Sequence, residues 1–296
     1  MRSISDATIK QYSVSYKRWG LFCQEKVLDP WDPTPSSMVA FFQHVMDSSN
    51  ISYNSINSYR AALSLIARSQ VGCDPLVSRF LKGVARLRPP APRYNITWNP
   101  YTVLDFLDRE FSEIGELSKK LVTLFLLATG HRLQTIHLIR MGEISFSATS
   151  GVRIKITDPI KCSGPNKKQP LISIPPLQEK PNLCVVKNLQ KYIDLTAPIR
   201  PTAEDFLFII SRPPYNRASK ATLSRWVLST LSDAGVDTSI FKPHSTRHAA
   251  TSAASRAGVS IDIIRQSAGW SQRSDVFTQF YNRPLQEEAS LLHSII

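Results

Sequence analysis

Lys242 to Pro284 reads KPHSTRHAATSAASRAGVSIDIIRQSAGWSQRSDVFTQFYNRP and is the most informative stretch of the chain. His244 and Arg247 stand three residues apart, so on a helix they project from one face. Pro243 suits a first helical turn, and helix N-termini attract phosphate through free N–H groups and the dipole. His248 to Ala257 is mostly Ala and Ser, compatible with a closely packed helix. Gly258 ends it, and Ser260 caps a second helix that closes near Gly269, leaving Trp270 at a turn. Tyr281 follows inside FTQFYNRP. A cation pair, an indole donor and a phenol thus lie in one compact segment. That set suits attack by a tyrosine on a phosphodiester whose charge the other groups neutralise.

Taken singly, each residue has an ordinary reading. His244 could cap a helix, Arg247 could be a solvated charge, Trp270 could fill a core, and Tyr281 could join Phe277 and Phe280 in an aromatic cluster. The order H-x-x-R, then G-W, then Y favours the functional reading. It resembles the C-terminal half of the tyrosine recombinase (phage integrase) family.

The chain has 296 residues, room for two modest domains, and 42% of them are hydrophobic, enough for packed cores. Lys and Arg outnumber Asp and Glu by 36 to 23, a formal net charge of +13 spread along the chain, which fits a polyanionic partner. Cys23, Cys73, Cys162 and Cys184 are far apart, without a C-x-x-C pair or a nearby His set. They read as reduced thiols of an intracellular protein, not a disulfide frame or a zinc site. No signal peptide is visible, and no apolar run is long enough to span a bilayer. Internal repeats, Walker loops, H-E-x-x-H and paired acidic motifs are not found.

Ser5 to about Lys82 reads as helices throughout. Ile9, Tyr12, Tyr16, Trp19 and Phe22 recur at helical spacing in the first. Ser36 or Ser37 can cap a second, carrying Met38, Val39, Phe42, Val45 and Met46. A third turns Ile56, Tyr59, Leu63 and Ile66 inward and Arg60 and Arg68 outward. The fourth carries Leu76, Phe80, Leu81 and Val84, with Arg79, Lys82, Arg86 and Arg88 on its polar side. Then RLRPPAPRYNITWNP excludes helix at Pro89, Pro90 and Pro92 and favours a basic, extended tether. The domain boundary falls near Pro92, giving units 1–92 and 93–296.

From Pro100 the chain is helical again. Leu121 to Ala128 is apolar all round, so that helix is buried. It ends in Thr129-Gly130-His131-Arg132, after which Leu133 to Ile139 resumes helical spacing. An arginine at the mouth of a buried helical turn calls for an anionic partner. ISFSATSGVRIKITDPIK alternates apolar and polar residues around a Ser-Gly turn and reads as a β-hairpin, with PLISIP as a third short strand. Leu183 to Leu195 and Ser219 to Ala234 read as helices, the latter with Lys220 and Arg225 outward, and Phe206–Ile210 as a buried strand. His131 and His137 read as structural.

The resemblance to tyrosine recombinases spans essentially the whole chain. It implies a mostly α fold with a small β-sheet: a helical, SAM-like core-binding domain before an α+β catalytic domain, together a C-shaped clamp on DNA. T-G-x-R looks like the family's first catalytic arginine motif, which assigns Arg132. Thr135 departs from the pattern, standing where many members carry a carboxylate, and this bears on what supports Arg132. The family's catalytic lysine lies in the turn between the last two strands. Lys161, expected at the end of a strand, matches best, with Lys167 and Lys168 as alternatives. The resemblance then implies a catalytic set of Arg132, Lys161, His244, Arg247, Trp270 and Tyr281. Candidate DNA contacts are Lys17, Arg18, Arg60, Arg79, Lys82, Arg86, Arg88, Arg93, Lys220 and Arg225.

Phenols ionise near pH 10 in water, so His244 is expected as the base, Lys161 as the acid, and the arginine forks and indole as charge stabilisers. By resemblance the covalent link is to a 3′ phosphate, releasing a 5′ hydroxyl, and neither metal nor nucleotide cofactor is implied. The H-S-T-R-H-A-A-T stretch, Trp in place of the commoner His, and L-S-R-W look closest to eukaryotic mobile-element recombinases of Crypton or DIRS-like type, which implies a nuclear location. The implied partners are double-stranded DNA and further copies of the chain, as a dimer or tetramer on paired sites. Leu285, Ala289, Leu292 and Ile296 line one face of a C-terminal helix over 285–296 that the family precedent would pass between protomers. Rival readings are a type IB topoisomerase-like nicking-closing enzyme, a helix-turn-helix DNA-binding protein, and an inactive, domesticated recombinase that only binds DNA.

Overall fold

The computed structural model describes residues 4–68, 70–147, 149–161, 163–164 and 168–286. Cys162, Lys167 and the expected C-terminal helix beyond Gln286 lie outside them. The chain divides into two compact units, Met1–Pro92 and Arg93–Ile296.

The first unit consists of helices whose starts are written locally. Ser5 accepts the Thr8 N–H to open α1 (Asp6–Lys26), and Thr34 and Ser37 form a reciprocal cap on α2 (Pro35–Ser48). Ser52 caps α3 (Tyr53–Leu63), and Asp74 followed by Pro75 starts α4 (Pro75–Leu87). Trp19, Phe22, Phe41, Phe42, Tyr59 and Leu81 fill the core between them. Trp19 meets Phe41 edge to face at 5.3 Å and donates its indole N–H to the Pro30 carbonyl. The helices match the spacing of apolar residues, with local corrections. Burial on α1 is carried by Ser15, Trp19, Phe22 and Cys23, while Ile9 stays 55% exposed. On α4, Val77 rather than Leu76 points inward.

In the second unit α6 (Ile114–Thr129) is the central rod, buried along Leu117 to Leu126. Around it pack α8 (Val185–Thr196), α9 (Lys220–Asp233) and α10 (Ser245–Arg256), with α5 (Pro100–Leu107) against α10. The short helices α7 (Leu133–His137) and α11 (Ile261–Ser267) carry the chain around the end of α6 and on from α10. Strands β1 (Ile144–Ser147), β2 (Gly151–Lys155) and β3 (Leu171–Ile174) form one antiparallel sheet in that order. Ile144 pairs with Ile154 and Val152 with Ile174, so Val152, Ile154, Ile172 and Ile174 face the core. Phe206–Ile210 is not a strand. Leu207, Phe208 and Ile209 are buried as expected, but the segment pairs only through single bridges, Arg140 with Phe206 and Ile209 with Arg217. Its neighbours there are loops, which offer no continuous ladder. No helix among the described residues is long and apolar enough to cross a membrane.

Candidate active site

The site begins where α6 stops. Gly130 takes the left-handed conformation (φ +63°), its N–H bonding back to the Leu126 carbonyl, and the chain turns sharply away. Thr129 fixes the turn by donating its hydroxyl to Phe125 O and accepting the His131 N–H. Arg132 follows at the N-cap of α7, extended and half-buried.

The H-x-x-R motif starts α10, with His244 at its N-cap and Arg247 in its first turn. Arg247 is 1% exposed. One guanidinium nitrogen donates to Gly130 O at 2.6 Å and Ala268 O at 2.8 Å, joining the end of α6 to the end of α11. The same guanidinium lies 3.9 Å over the Trp270 ring and 5.4 Å from the centre of the Tyr281 ring. Gly269 (φ +66°) lets the chain pass the buried His131, whose Cε1 would lie 2.7 Å from a Cβ at that position.

Tyr281 ends a π-helical turn, Phe277–Tyr281, anchored by the buried Phe277. Its hydroxyl lies 2.9 Å from His244 Nε2. The ring stacks on His248 at 4.3 Å and 23°, and meets the Trp270 ring at 4.9 Å. Ser252 of α10 donates to the Tyr281 carbonyl and accepts the Arg283 N–H, fixing the backbone on either side of Asn282. Beyond it, Thr97 and Leu285 form a parallel bridge, and Arg283 donates to the Tyr94 carbonyl while stacking on the Tyr94 ring. Motif reading did not single out His248, Ser252 or Arg283. His248 carried a weak signal, since it immediately follows Arg247.

Lys161 is exposed and does not end a strand, because β2 stops at Lys155. It lies in the connection to β3, in a turn closed by the Ser163 N–H donating to Ile160 O. Lys168 is exposed in the same connection. Pro159 and the neighbouring turn interrupt the ladder that the alternating pattern suggested.

The charges form one field. Part of the His244 ring is open to solvent, yet the protein packed around it, then the charges of Arg247, Arg132 and Lys161, lower its pKa to about 4. Burial, then Arg247 and Arg132, bring His131 to about 4. Burial, with Arg283, His244 and Arg247, takes His248 to about 3. Neutral imidazoles are thus surrounded by fixed cations. The Trp270 indole N–H is buried and has no hydrogen-bond partner among the described residues. All six residues expected to be catalytic therefore fall within one neighbourhood, joined by direct contact or by charge.

The cations expected on DNA divide into two sets. Lys17, Arg18, Arg79, Lys82, Arg86, Lys220 and Arg225 are exposed, as is Arg93, which also donates to Ser239 O. Arg60 turns inward, contrary to its expected orientation, and bonds Gly72 O and Asn57. Arg88 caps the end of α2 through Met46, Ser49 and Ile51 carbonyls. Orphan carbonyls at a helix end attract such a cation, and spacing alone does not show it.

The fold is shared with solved recombinases. XerH site-specific recombinase, in a post-cleavage complex with its palindromic difH substrate, superposes with a TM-score of 0.66 at 16% identity, over 96% of this chain and 80% of that one. The Tn1549 transposon integrase in complex with a circular intermediate DNA gives 0.63 at 14% identity, over 100% and 95%. A lambda integrase dimer bound to a COC′ core site gives 0.59 at 15%, over 98% and 93%. No curated protein matches the chain. The model of the phage integrase family matches residues 102–288, a span holding Arg132, Lys161, His244, Arg247, Trp270 and Tyr281. The chain belongs to the phage integrase family.

Proposed function

We propose that the protein breaks and rejoins DNA through a covalent 3′-phosphotyrosyl intermediate, as the recombinase of a mobile element. The observation that carries this is the 2.9 Å contact between Tyr281 Oη and His244 Nε2, with the Arg247 guanidinium over the same aromatic cluster. Tyr281 Oη attacks phosphorus and its proton passes to His244 Nε2. The bond from phosphorus to O5′ breaks with its electron pair on O5′, which takes a proton from Lys161. Arg132 and Arg247 stabilise the non-bridging oxygens, and Trp270 Nε1 donates one further hydrogen bond. His244 holds a free lone pair at neutral pH, and an arriving phosphate anion raises its basicity. The covalent link conserves the phosphodiester energy, so a second DNA end completes the exchange without a nucleotide cofactor.

Exposed cations on both units provide the material for gripping a duplex, Arg60 and Arg88 contributing through packing. Assembly as a dimer or tetramer on paired sites, with the C-terminal segment passed between protomers, completes the reading. The lambda integrase dimer bound to a COC′ core site supports the assembly on DNA. The H-S-T-R-H-A-A-T stretch and Trp270 support a Crypton or DIRS-like element acting in the nucleus. Thr135, buried in place of a carboxylate, is what favours a binding-only relic, and the intact Tyr281–His244 contact argues against one.

Trapping on a suicide DNA substrate tests the scheme. The wild-type chain gives a covalent adduct on a denaturing gel, in the presence or absence of EDTA. Tyr281→Phe binds DNA normally and gives none. An adduct from the Phe variant would assign the nucleophile elsewhere.

A further inference from the structure

The connection that presents Lys161 is tied down by a charged contact that the scheme above does not use. Asp158, three residues ahead of Lys161, turns both carboxylate oxygens onto Arg140: Nε lies 2.7 Å from Oδ2 and the second nitrogen 3.2 Å from Oδ1. The third nitrogen of Arg140 reaches Asp205 at 3.1 Å, and the guanidinium lies 4.2 Å over the Phe206 ring. Arg140 is itself held by its bridge to Phe206, with the Met141 N–H on Asp205 O. Past Asp158, Ile160 packs on the core. Its N–H donates to Ser163 Oγ at 2.8 Å, and that hydroxyl donates to Gln169 at 3.0 Å. Lys161 therefore stands at the exposed corner of a turn, next to the hydrogen-bonded Ile160 and three residues from the paired Asp158.

We propose that Arg140 and Asp158 form a positioning pair for Lys161, setting how far its ammonium reaches toward the leaving oxygen. Neither side chain is assigned a contact with DNA or with the reacting atoms. The inference rests on Lys161 being the proton donor. A half-exposed ion pair adds little to folding stability, but a bidentate one fixes direction. Direction matters here, because lysine has a flexible four-carbon stem and a general acid works only within hydrogen-bonding reach. The pair also ties the Lys161 connection to the segment leaving α7, the helix that starts at Arg132. The acid and one of the charge stabilisers thereby share a frame. Arg140 holds the Asp158 carboxyl below its ordinary range, so the pair stays charged throughout neutral pH.

The test uses the full chain and two substrates, ordinary DNA and DNA with sulfur at the bridging 5′ position, whose thiolate leaves without a proton. Single-turnover adduct formation by Asp158→Ala should be about tenfold slow on ordinary DNA and within about twofold of wild type on the sulfur substrate. Lys161→Ala, measured in parallel, should show the same rescue. The double variant should be no slower than Lys161→Ala alone, because residues acting through one another do not add. Equal slowing of Asp158→Ala on both substrates would make the pair mere scaffolding and overturn the proposal. So would full speed on ordinary DNA. If Lys161→Ala is itself not rescued, the reading of Lys161 as acid fails, and the positioning role falls with it. Asp158→Asn, close to isosteric and uncharged, replaces the Ala variant if that chain does not fold.

Discussion

At the scale of the residue, the aromatic box around Tyr281 makes the strongest demands. His248 stacks on Tyr281, the proposed nucleophile, and is assigned no proton transfer, so shape rather than basicity should matter at this position. His248→Ala loses a stacking contact worth about 1 kcal/mol and lets the Tyr281 ring swing, and single-turnover cleavage should fall about tenfold. His248→Phe keeps a flat ring and should stay within about threefold of wild type. A Phe variant as slow as Ala would assign the imidazole nitrogens a role. Trp270→Phe keeps ring packing but removes the N–H, and it should cost about 3 kcal/mol of barrier with little change in DNA affinity. The grouping of His244, Arg247, Trp270 and Tyr281 was legible in the sequence because H-x-x-R, G-W and Tyr occur in order. His248, Ser252 and Arg283 were not, since stacking and backbone clamping depend on which helix face meets the π turn, and one strand of sequence does not encode that meeting.

Elements show a different division. Helices read well wherever a helical stripe of apolar residues runs on, but their exact starts less so: α2 is capped by Thr34, not by Ser36 or Ser37, because Pro35 takes the first helical position and Ser37 the third. The reading fails where tertiary partners decide. Phe206–Ile210 has strand composition but no neighbouring strand, and Lys161 lies past the end of β2 because pairing stops at Lys155. Arg60 and Arg88 show the same limit, since a polar helix face can serve loop carbonyls as readily as solvent. Within the site, the Gly269 turn tolerates little change. In Gly269→Ala the alanine would have to hold a positive φ and its Cβ would push against His131, costing about 2 kcal/mol. It would also disturb the Ala268 carbonyl that Arg247 uses. Lower Tm and lost adduct formation are expected together, with near-normal binding to single sites. A stable, active Ala variant would mean that the turn adapts.

Over the whole molecule, the histidines set how the protein responds to acid. His131, His137 and His244 are held at about 4 and His248 at about 3, against an ordinary 6.5. The unfolded chain therefore binds more protons than the folded one between these values, so folding is favoured most above about pH 6.5 and progressively less as pH falls toward 4. Thermal melts of the DNA-free protein at pH 7.5, 6 and 5 should show Tm dropping stepwise, and His131→Gln should flatten the trend. A pH-independent Tm would contradict these environments. On the assembly side, Leu292→Ser with Ile296→Ser should leave single-site binding intact while paired-site complexes and cleavage fall together in gel shifts. Loss of single-site binding or of Tm would instead mean that the segment packs on its own protomer. Finally, the two arginines that look interchangeable in sequence are mechanically unequal. Arg132 stands half-buried at a helix start, whereas Arg247 rivets the carbonyl ends of α6 and α11 together beneath the Tyr281 ring. Deleting Arg132 should subtract mainly a charge. Deleting Arg247 removes the charge and the joint at once, so its rate defect measures a collapsed scaffold as well as a missing cation. Two positions that a motif would score alike thus differ as parts of a structure: one is a charge, the other a charge that is also a fastener.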